Sequence, residues 1–509
     1  MPRCDRRYRI LPLAAFVLAL LAATLTPVTA QAQTASRHVA LFGVDGLSWD
    51  SIPPADTPTL DGLIAAGYSS QSWLYAPPFA PTVSGPGWST VLTGVWPDKH
   101  RVLGNDFAGH DLGPYPDVLS RVEAAVPGAK TYAAMDWKAI DDFILGDTID
   151  RKLVLEDDYR VNDRKIAADA AAWIPAHGPA ASFVYLGNVD ESGHTCGTAG
   201  ACYRPAIEAV DQQIGQIIDA IQRRPDFASE EWLFLVTTDH GHTPAGGHGG
   251  NSRAERQSFI IAAGAGITPG RPAIEPRLVD VAATALDFLG IARPGLDGVP
   301  VTEPLNDPFD TVATGLRTRV DEPDIAAALH GWTHVAPAGW SVDNAGMRGG
   351  GVTEWQGWSF TTDEFWTATQ RGQSRESNVR SRGVFAVADS DEWADKIFSG
   401  RFNSRLVSPP VPVAGNATAT IAFVSHYRKH GAETATVTVS FDDGPARSVR
   451  TYTGDVTARP EHLEVAVPTG ARTMRVAWEL TGGNNDWYWA VDAPVIAASG
   501  TTADITWSR

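Results

Sequence analysis

The stretch EWLFLVTTDHGH, residues 231–242, joins an apolar run to a group of polar side chains. The run from Trp232 to Val236 has no polar residue, which predicts a strand buried on both faces of a sheet. Asp239 and His240 follow soon after it. Because open α/β sheets bind ligands at the carboxyl ends of their strands, this stretch predicts both a sheet and a site at its edge.

The same pattern occurs elsewhere in the first part of the chain. HVALFGVD (38–45) and ASFVYLGNVD (181–190) also run from apolar residues to an aspartate, and TYAAMDW (131–137) and SFIIAAG (258–264) are further strand candidates. Helical periodicities alternate with these runs, most clearly from Pro205 to Arg224. Residues 38–301 are therefore predicted to form an α/β domain, a mostly parallel sheet flanked by helices.

The composition changes beyond this domain. Residues 302–324 are rich in Pro, Asp and Thr and are predicted to be a linker. Residues 325–509 contain ten of the seventeen tryptophans and many alternating β-runs, which predict an all-β sandwich of jelly-roll type. Trp355, Trp358, Trp366, Trp487 and Trp489 are predicted to fill its core, with a glycan-stacking platform as the alternative.

The N-terminus has the pattern of an export signal. Four arginines precede an apolar run from Ile10 to Leu25 and a small-residue cleavage site, so residues 1–32 are predicted to be a signal peptide. A retained membrane anchor is the alternative. Removing this leader takes the formal charge from −18 to about −21, which argues against binding to nucleic acid or anionic membranes. A secreted protein, extracellular or periplasmic, free of the membrane after cleavage, is expected.

The cysteines also fit export. Cys4 leaves with the leader, whereas Cys196 and Cys202 lie six residues apart. In an exported chain this pair is predicted to form a disulfide. Ligation of a metal by both thiols is the alternative, although no second cysteine pair completes a structural zinc site.

Six metal-ligand side chains are grouped around one serine in the α/β domain. The serine is Ser84, and the ligands are Asp45, Asp190, His194, Asp239, His240 and His248. Oxygen and imidazole donors without thiolate suit zinc, with manganese or iron as alternatives. Coordination to a metal can turn a serine hydroxyl into a nucleophile without a neighbouring base. Thr82 and Ser89 are other hydroxyls near it, and His242 is predicted to support the ligands.

Five ordered motifs carry a family resemblance. VDG, PTVSGPGWSTVLTG with WPDKH after it, VDESGH, TTDHG and HGG resemble the type I phosphodiesterase and nucleotide pyrophosphatase branch of the alkaline phosphatase superfamily. The resemblance implies one zinc on Asp45, Ser84, Asp239 and His240, and a second zinc on Asp190, His194 and His248. It also implies that Ser84 attacks phosphorus and forms a phospho-serine intermediate.

The chain departs from the nucleotide-cleaving members of that branch. Ser84 replaces the usual threonine, Gly87 stands where an asparagine is expected, and His248 follows Asp239 by only nine residues. Lys99, Arg101 and Asn105 are candidates for the missing phosphate contact, with structural or solvated roles as the alternative. A sulfatase is a further alternative, but its motif would need an arginine at the position that Trp88 occupies.

These observations predict an exported two-zinc hydrolase acting on a small-molecule phosphate ester. A phosphomonoesterase with the same site is one alternative. Another is a glycan- or cell-wall-binding protein with a non-catalytic phosphatase-like domain. In that case the tryptophan-rich half of the chain would bind the polymer. A structural Ca²⁺ held by Asp389, Asp391 or Asp492 in the C-terminal domain is also considered.

Overall fold

The computed structural model describes residues 36–272, 274–304, 306–369, 375 and 380–498. The predicted signal peptide, residues 1–32, lies outside this part of the chain. Arg37–Arg509 group into one unit by their contacts. Over the described residues, no helix combines the length and the apolar character needed to cross a membrane.

A seven-stranded sheet forms the centre of the α/β domain. Its strands are β1 Ser36–Val44, β2 Tyr68–Trp73, β3 Thr131–Met135, β4 Arg151–Val154, β5 Ala181–Leu186, β6 Glu230–Thr237 and β7 Gln257–Gly264. They lie in the order β2-β7-β6-β1-β5-β3-β4. β1 and β5, β5 and β3, and β3 and β4 pair in parallel, whereas β7 is antiparallel to β2 and β6. The predicted α/β class is confirmed, and the sheet is a mixed one.

Helices cover both faces of this sheet. They are α1 Pro58–Ala66, α2 Ser84–Thr93, α3 Pro97–His100, α4 Val118–Ala125, α5 Tyr159–His177, α6 Asn188–Cys196, α7 Tyr203–Gln222, α8 Arg253–Arg256 and α9 Asp280–Phe288. α7 packs against α5 and α1, while α9 packs against α2 and α4. Along β1, Leu41 joins one hydrophobic cluster and Phe42 joins the other. Alternate residues of a strand point to opposite faces, so both layers bury apolar side chains and the strand is apolar throughout.

The C-terminal region is a sandwich of two antiparallel sheets. Its strands are β8 Arg317–Thr318, β9 His330–Thr333, β10 Ser341–Asp343, β11 Ser359–Thr362, β12 Val384–Asp389, β13 Phe402–Val407, β14 Val411–Pro412, β15 Thr418–Tyr427, β16 Thr434–Phe441, β17 Arg447–Thr451, β18 Val456–Ala466, β19 Thr473–Gly483 and β20 Tyr488–Ala498. One sheet has the order β18-β15-β20-β12-β11-β9-β8, and the other β10-β13-β19-β16-β17, with β14 on β19. Two short helices, α10 Asp363–Trp366 and α11 Ser390–Ala394, complete it.

The large aromatic side chains of the sandwich form its core. Over the described residues of the sandwich, seven tryptophans are fully buried, namely Trp332, Trp355, Trp358, Trp366, Trp393, Trp478 and Trp489. The core interpretation is confirmed for them, because a ring without exposed surface cannot stack on a glycan. Of the five tryptophans considered for a platform, only Trp487 is partly exposed.

The sandwich and the α/β domain are in direct contact. Part of the predicted linker, Phe309–Gly315, forms a 3-10 helix whose Phe309 is buried in the sandwich core. In the opposite direction, Ala458 of β18 lies in the hydrophobic cluster that α2, α4 and α9 share with the central sheet. The two regions therefore share buried surface.

The predicted disulfide is confirmed. Cys196, the last residue of α6, is bonded to Cys202, which directly precedes α7. This bond closes the connection between the two helices. Since α6 carries Asp190 and His194, it also fixes the end of the helix that bears two predicted ligands.

Candidate metal centre

Three strand ends bring the predicted ligands to one edge of the sheet. Asp45 follows the last residue of β1, Asp239 lies two residues beyond β6, and Asp190 lies in the first turn of α6, directly after β5. These strands are neighbours in the order β6-β1-β5. Residues almost 200 positions apart in sequence therefore converge, as expected for the carboxyl edge of such a sheet.

The first group of ligands surrounds His240. Its Nε2 lies 3.2 Å from Asp239 Oδ2 and 3.6 Å from Asp45 Oδ1. Ser84 Oγ lies 3.3 Å from the same nitrogen. One ligand atom from each of Asp45, Asp239 and His240 falls within 4.8 Å of the others, and all three residues are buried. The structure thus gathers the four residues that the resemblance assigns to one zinc.

Among the residues that the structure describes, two buried carboxylate oxygens in this group have no hydrogen-bond donor. They are Asp45 Oδ1 and Asp239 Oδ2. The other oxygen of Asp45 accepts bonds from Tyr185 Oη at 2.6 Å and from Trp88 Nε1 at 2.8 Å. A buried anionic oxygen without a partner is costly, so both orphaned atoms fit a bound cation.

Burial also shifts the pKa values of these groups. Desolvation, with repulsion from Asp190, raises the pKa of Asp45 to about 6. Desolvation and the charge of Asp45 raise the pKa of Asp239 well above its usual range. Desolvation lowers the pKa of His240 to about 4, so its imidazole is neutral near pH 7. Neutral imidazole beside crowded carboxyl groups suits a divalent cation.

The second group surrounds Asp190. Its Oδ2 lies 3.4 Å from His194 Nε2, and its Oδ1 lies 3.6 Å from His248 Nε2. The two imidazole nitrogens are 3.0 Å apart. His248 Nδ1 donates to Thr82 O at 2.9 Å, which leaves Nε2 with its lone pair toward the other ligands. The structure therefore gathers the residues assigned to the second zinc.

From the sequence, Asp190 and His194 are predicted to reach the ion from a strand end and the following turn. Instead both lie on α6, four residues apart and on one face of the helix. Two amides at the start of this helix are held by a residue from α5, because Asp163 accepts from Gly187 N and Asn188 N at 3.1 and 3.3 Å. Sequence reasoning missed Asp163, since nothing in the pattern of α5 sets it apart.

His242 lies between the two groups. Its Nε2 is 2.6 Å from Asp190 Oδ1, and its side chain is buried. It also falls within ligand distance of Asp190 and His240 taken together. The supporting role expected from the sequence fits this position, because a hydrogen bond to Asp190 orients a carboxylate of the second group.

Ser84 begins α2, and the loop after α3 lies over it. Gly85 N donates to Asn105 Oδ1 at 2.7 Å, so Asn105 is next to the candidate nucleophile. Arg101 is exposed, and Lys99 bonds to Asp297 at 2.7 Å. Of the three candidates for the missing phosphate contact, Asn105 has the closest contact with the residue after Ser84.

Gly87 and Trp88 explain two departures in the α2 motif. A Cβ at position 87 would lie 2.7 Å from Asp239 Cβ, so α2 has no room there for the asparagine that the resemblance leads one to expect. Trp88 is fully buried and bonds to Asp45. The position where a sulfatase needs arginine is therefore occupied by a side chain that holds a candidate ligand.

The residues considered for calcium have other partners. Arg375 bonds to Asp389 at 3.2 Å and to Asp391, and supplies the positive charge at this position. Asp492 accepts from Arg382 N at 2.9 Å. Within the described ranges, the candidate metal groups all lie at the sheet edge of the α/β domain.

Sequence comparison agrees with the motifs. Residues 39–260 match the type I phosphodiesterase / nucleotide pyrophosphatase family, which confirms the predicted resemblance. Ectonucleotide pyrophosphatase/phosphodiesterase family member 7 of Mus musculus is 25% identical over 244 residues, 44% of this chain and 54% of that protein. The same member of Homo sapiens is 24% identical over 232 residues, 42% of this chain and 49% of that protein. The chain spans about half the length of these curated relatives.

Solved structures give weaker matches. Murine ectonucleotide pyrophosphatase / phosphodiesterase 5, in an inactive form with AMP, is 16% identical and has a TM-score of 0.40, with 53% of this chain and 97% of that chain covered. The phosphonate monoester hydrolase of Agrobacterium radiobacter is 14% identical with a TM-score of 0.43, over 52% and 76% of the two chains.

Proposed function

Residues 39–260 match the type I phosphodiesterase and nucleotide pyrophosphatase family, and from this premise we propose that the protein is a metal-dependent phosphoester hydrolase. Its substrate is a small phosphodiester or pyrophosphate. Two zinc ions are bound, one by Asp45, Ser84, Asp239 and His240, the other by Asp190, His194 and His248. The supporting observation is that Asp45 Oδ1 and Asp239 Oδ2 are buried without donors beside His240 and Ser84.

The proposed reaction has two steps. Ser84 Oγ attacks phosphorus, a bond from Oγ to phosphorus forms, and the bond from phosphorus to the leaving oxygen breaks. The leaving group departs as an alcohol or phosphate after it takes up a proton. Water then attacks the phospho-serine, the bond from Oγ to phosphorus breaks, and Ser84 regains its proton. When bound, zinc lowers the pKa of a hydroxyl group and neutralises the charge of the phosphate oxygens.

Asn105 is proposed to hold a nonbridging oxygen of the substrate. Its Oδ1 is engaged by Gly85 N at 2.7 Å, so the side-chain amide has a fixed orientation. The Nδ2 hydrogens are then available to an acceptor next to Ser84. This contact replaces the one that Gly87 cannot make.

Export to an oxidising compartment is part of the proposal. The disulfide between Cys196 and Cys202 supports it, because such bonds persist mainly outside the cytosol. The predicted signal peptide agrees with this location. Detection of a mature N-terminus near Gln33 in the exported protein would test it.

Substitution of Ser84 tests the mechanism. We expect Ser84→Ala to lower kcat/KM for bis(p-nitrophenyl) phosphate by more than about 1,000-fold, because the attacking atom is removed. Metal analysis should still find zinc, since the Asp and His ligands remain. The matched control is Ser89→Ala, on the same helix and fully buried. Retained hydrolysis in Ser84→Ala would exclude a phospho-serine intermediate.

The same assay separates the two ester classes. The family match favours the bis-ester, whereas a phosphomonoesterase would prefer p-nitrophenyl phosphate. Rates are compared for both compounds with and without a chelator. A wild-type protein that hydrolyses neither compound, with zinc bound, would contradict the proposed function.

A further inference from the structure

We propose that the C-terminal sandwich is a structural part of the metal centre, with Asp363 and Arg380 as positioning residues. Asp363 holds the segment that carries His248, and Arg380 holds the segment that leads to Asn105. This inference rests on the proposed function for its consequence in catalysis. Its evidence is a set of contacts between the sandwich and two loops of the α/β domain.

The first contact is made by α8. Arg256 Nη2 bonds to Asp363 Oδ2 of α10 at 2.9 Å, and Arg256 Nε bonds to Leu74 O at 2.9 Å. The Arg256 side chain is only 9% exposed, against 25% for Asp363, so water screens this ion pair less than a surface pair. Arg253 adds an exposed ion pair with Glu364 at 3.3 Å. α8 is thus bonded to the sandwich along its length.

From α8, hydrogen bonds lead directly to His248. Glu255 accepts from Ser252 N and from Gly250 N at 3.0 and 2.7 Å. Gly250 O accepts from Thr82 Oγ1 at 2.8 Å, and Thr82 Oγ1 in turn accepts from Gly249 N at 3.1 Å. His248 Nδ1 then donates to Thr82 O. Asp363 is therefore connected to a candidate ligand by a chain of short contacts.

This segment has little regular secondary structure, and turn-type hydrogen bonds such as Thr243 N to Gly247 O at 3.0 Å hold it internally. α8 has only four residues, and the residues before it include Gly246, Gly247, Gly249 and Gly250. Three of these glycines have φ between 87° and 101°, a conformation that is found in neither α-helices nor β-strands. Ordering such a segment costs entropy, so an external support has a large effect on it. Asp363 provides that support from the sandwich.

The second contact is made by Arg380. Its guanidinium donates to Asp98 Oδ2 at 3.0 Å and forms an ion pair with Asp297 Oδ1 at 2.8 Å, and its side chain is 6% exposed. Asp98 lies in α3, and Asp297 also accepts from Trp96 N at 3.0 Å. Asn105 lies in the loop that follows α3. One cation of the sandwich thus holds two carboxylates at the base of this loop.

The test uses full-length Asp363→Ala and the rescue variant Asp363→Glu. Asp321→Ala is the matched control, because Asp321 is also a partly buried sandwich carboxylate in an ion pair, 21% exposed and bonded to Lys396. Zinc release is measured against a competing chelator, and hydrogen exchange of residues 241–256 is measured in the metal-free protein. Thermal unfolding of each variant reports global stability.

We expect Asp363→Ala to weaken zinc retention by about 10-fold, with faster exchange in residues 241–256, because a support of a ligand is lost. Asp363→Glu should recover most of the retention, and Asp321→Ala should keep both properties. Arg380→Lys should raise KM for the bis-ester more than it lowers kcat, since it acts on the Asn105 loop.

Two results would overturn the inference. One is wild-type zinc retention and exchange in Asp363→Ala. The other is an equal loss in Asp363→Ala and Asp321→Ala, which would show global destabilisation. An inactive wild-type protein that still shows the Asp363 effect on zinc and exchange would overturn the proposed function alone. The exchange measurement needs no bound metal and no activity, so it tests the role of Asp363 independently of the proposed function.

Discussion

At the scale of single residues, Asp45 shows how neighbouring side chains orient a candidate metal ligand. Its Oδ2 is held by Tyr185 and Trp88, which directs Oδ1 to the side of Asp239 and His240. The sequence identified Asp45 because a strand and a motif mark it. It could not identify Tyr185 as its partner, because that bond joins residues 140 positions apart. Partners of this kind have no local pattern and are set only by packing.

Removal of the Tyr185 hydroxyl should therefore weaken the metal centre. We expect Tyr185→Phe to lower zinc affinity by about 10-fold, because Asp45 loses one of the donors that orient it. Competition with a zinc chelator measures this. Tyr132→Phe is the control, since Tyr132 is also fully buried and donates to an aspartate, Asp169, at 2.8 Å. Equal affinity in the two variants would show that the bond to Asp45 does not position a ligand.

At the scale of elements, the sequence predicted β1, β3, β5, β6 and β7 of the central sheet and the helix α7, but not all their relations. Long apolar runs marked β1, β5 and β6, and the periodicity of α7 is fulfilled by its buried Ile and Val residues. The antiparallel direction of β7 is not encoded in its own apolar composition. β2, with the sequence YSSQSW, has too few apolar residues for a strand pattern and is stabilised by pairing with β7. α6 was hidden because it begins directly at the end of β5.

The disulfide makes α6 an element that can be tested separately. We expect the double variant Cys196→Ser and Cys202→Ser to lose about 2 kcal/mol of unfolding free energy, because the unfolded chain is no longer cross-linked. Urea unfolding measures this loss. Zinc should also leave the site of Asp190 and His194 faster than in the wild type, because the end of α6 is released. An unchanged rate of zinc release would show that the disulfide is not needed to hold the end of α6 in place.

At the scale of the whole molecule, the sandwich contains buried acidic groups that oppose folding at high pH. Glu433 is fully buried, its Oε2 accepts from Ser390 Oγ at 2.5 Å, and its Oε1 has no hydrogen-bond partner in the described part of the chain. Desolvation raises the pKa of Glu433 from 4.5 to about 9. Between these values the folded protein keeps a proton that the unfolded chain releases. Stability therefore falls as pH rises through this window.

Glu433→Gln should remove this dependence. We expect the unfolding free energy of the variant, relative to that of the wild type, to increase by more than about 1 kcal/mol between about pH 5 and about pH 8. The reason is that glutamine needs no proton to stay neutral. Chemical unfolding at both pH values measures the difference. Glu464→Gln, on the exposed side of β18, is the control and should show no such gain. A constant difference at both pH values would contradict the raised pKa.

The arrangement of the whole molecule was the least predictable from the sequence. The motifs indicated the ligand set, and composition indicated the all-β region. Nothing in either indicated that Arg380 would lie between Asp98 and Asp297, because ion pairs across domains depend on how the surfaces meet. The stretch 302–324 is predicted to be a linker, and its residue Phe309 lies in the sandwich core.

Ala458 has a consequence for protein engineering. A sandwich residue that lies within the hydrophobic cluster of the other domain makes the two regions poor units for recombination. Chimeras that transplant the α/β domain alone would expose the cluster around Ala458, and would leave Arg256 without Asp363. Successful grafts would have to carry β18, α10 and the residues before β12 together with the α/β domain.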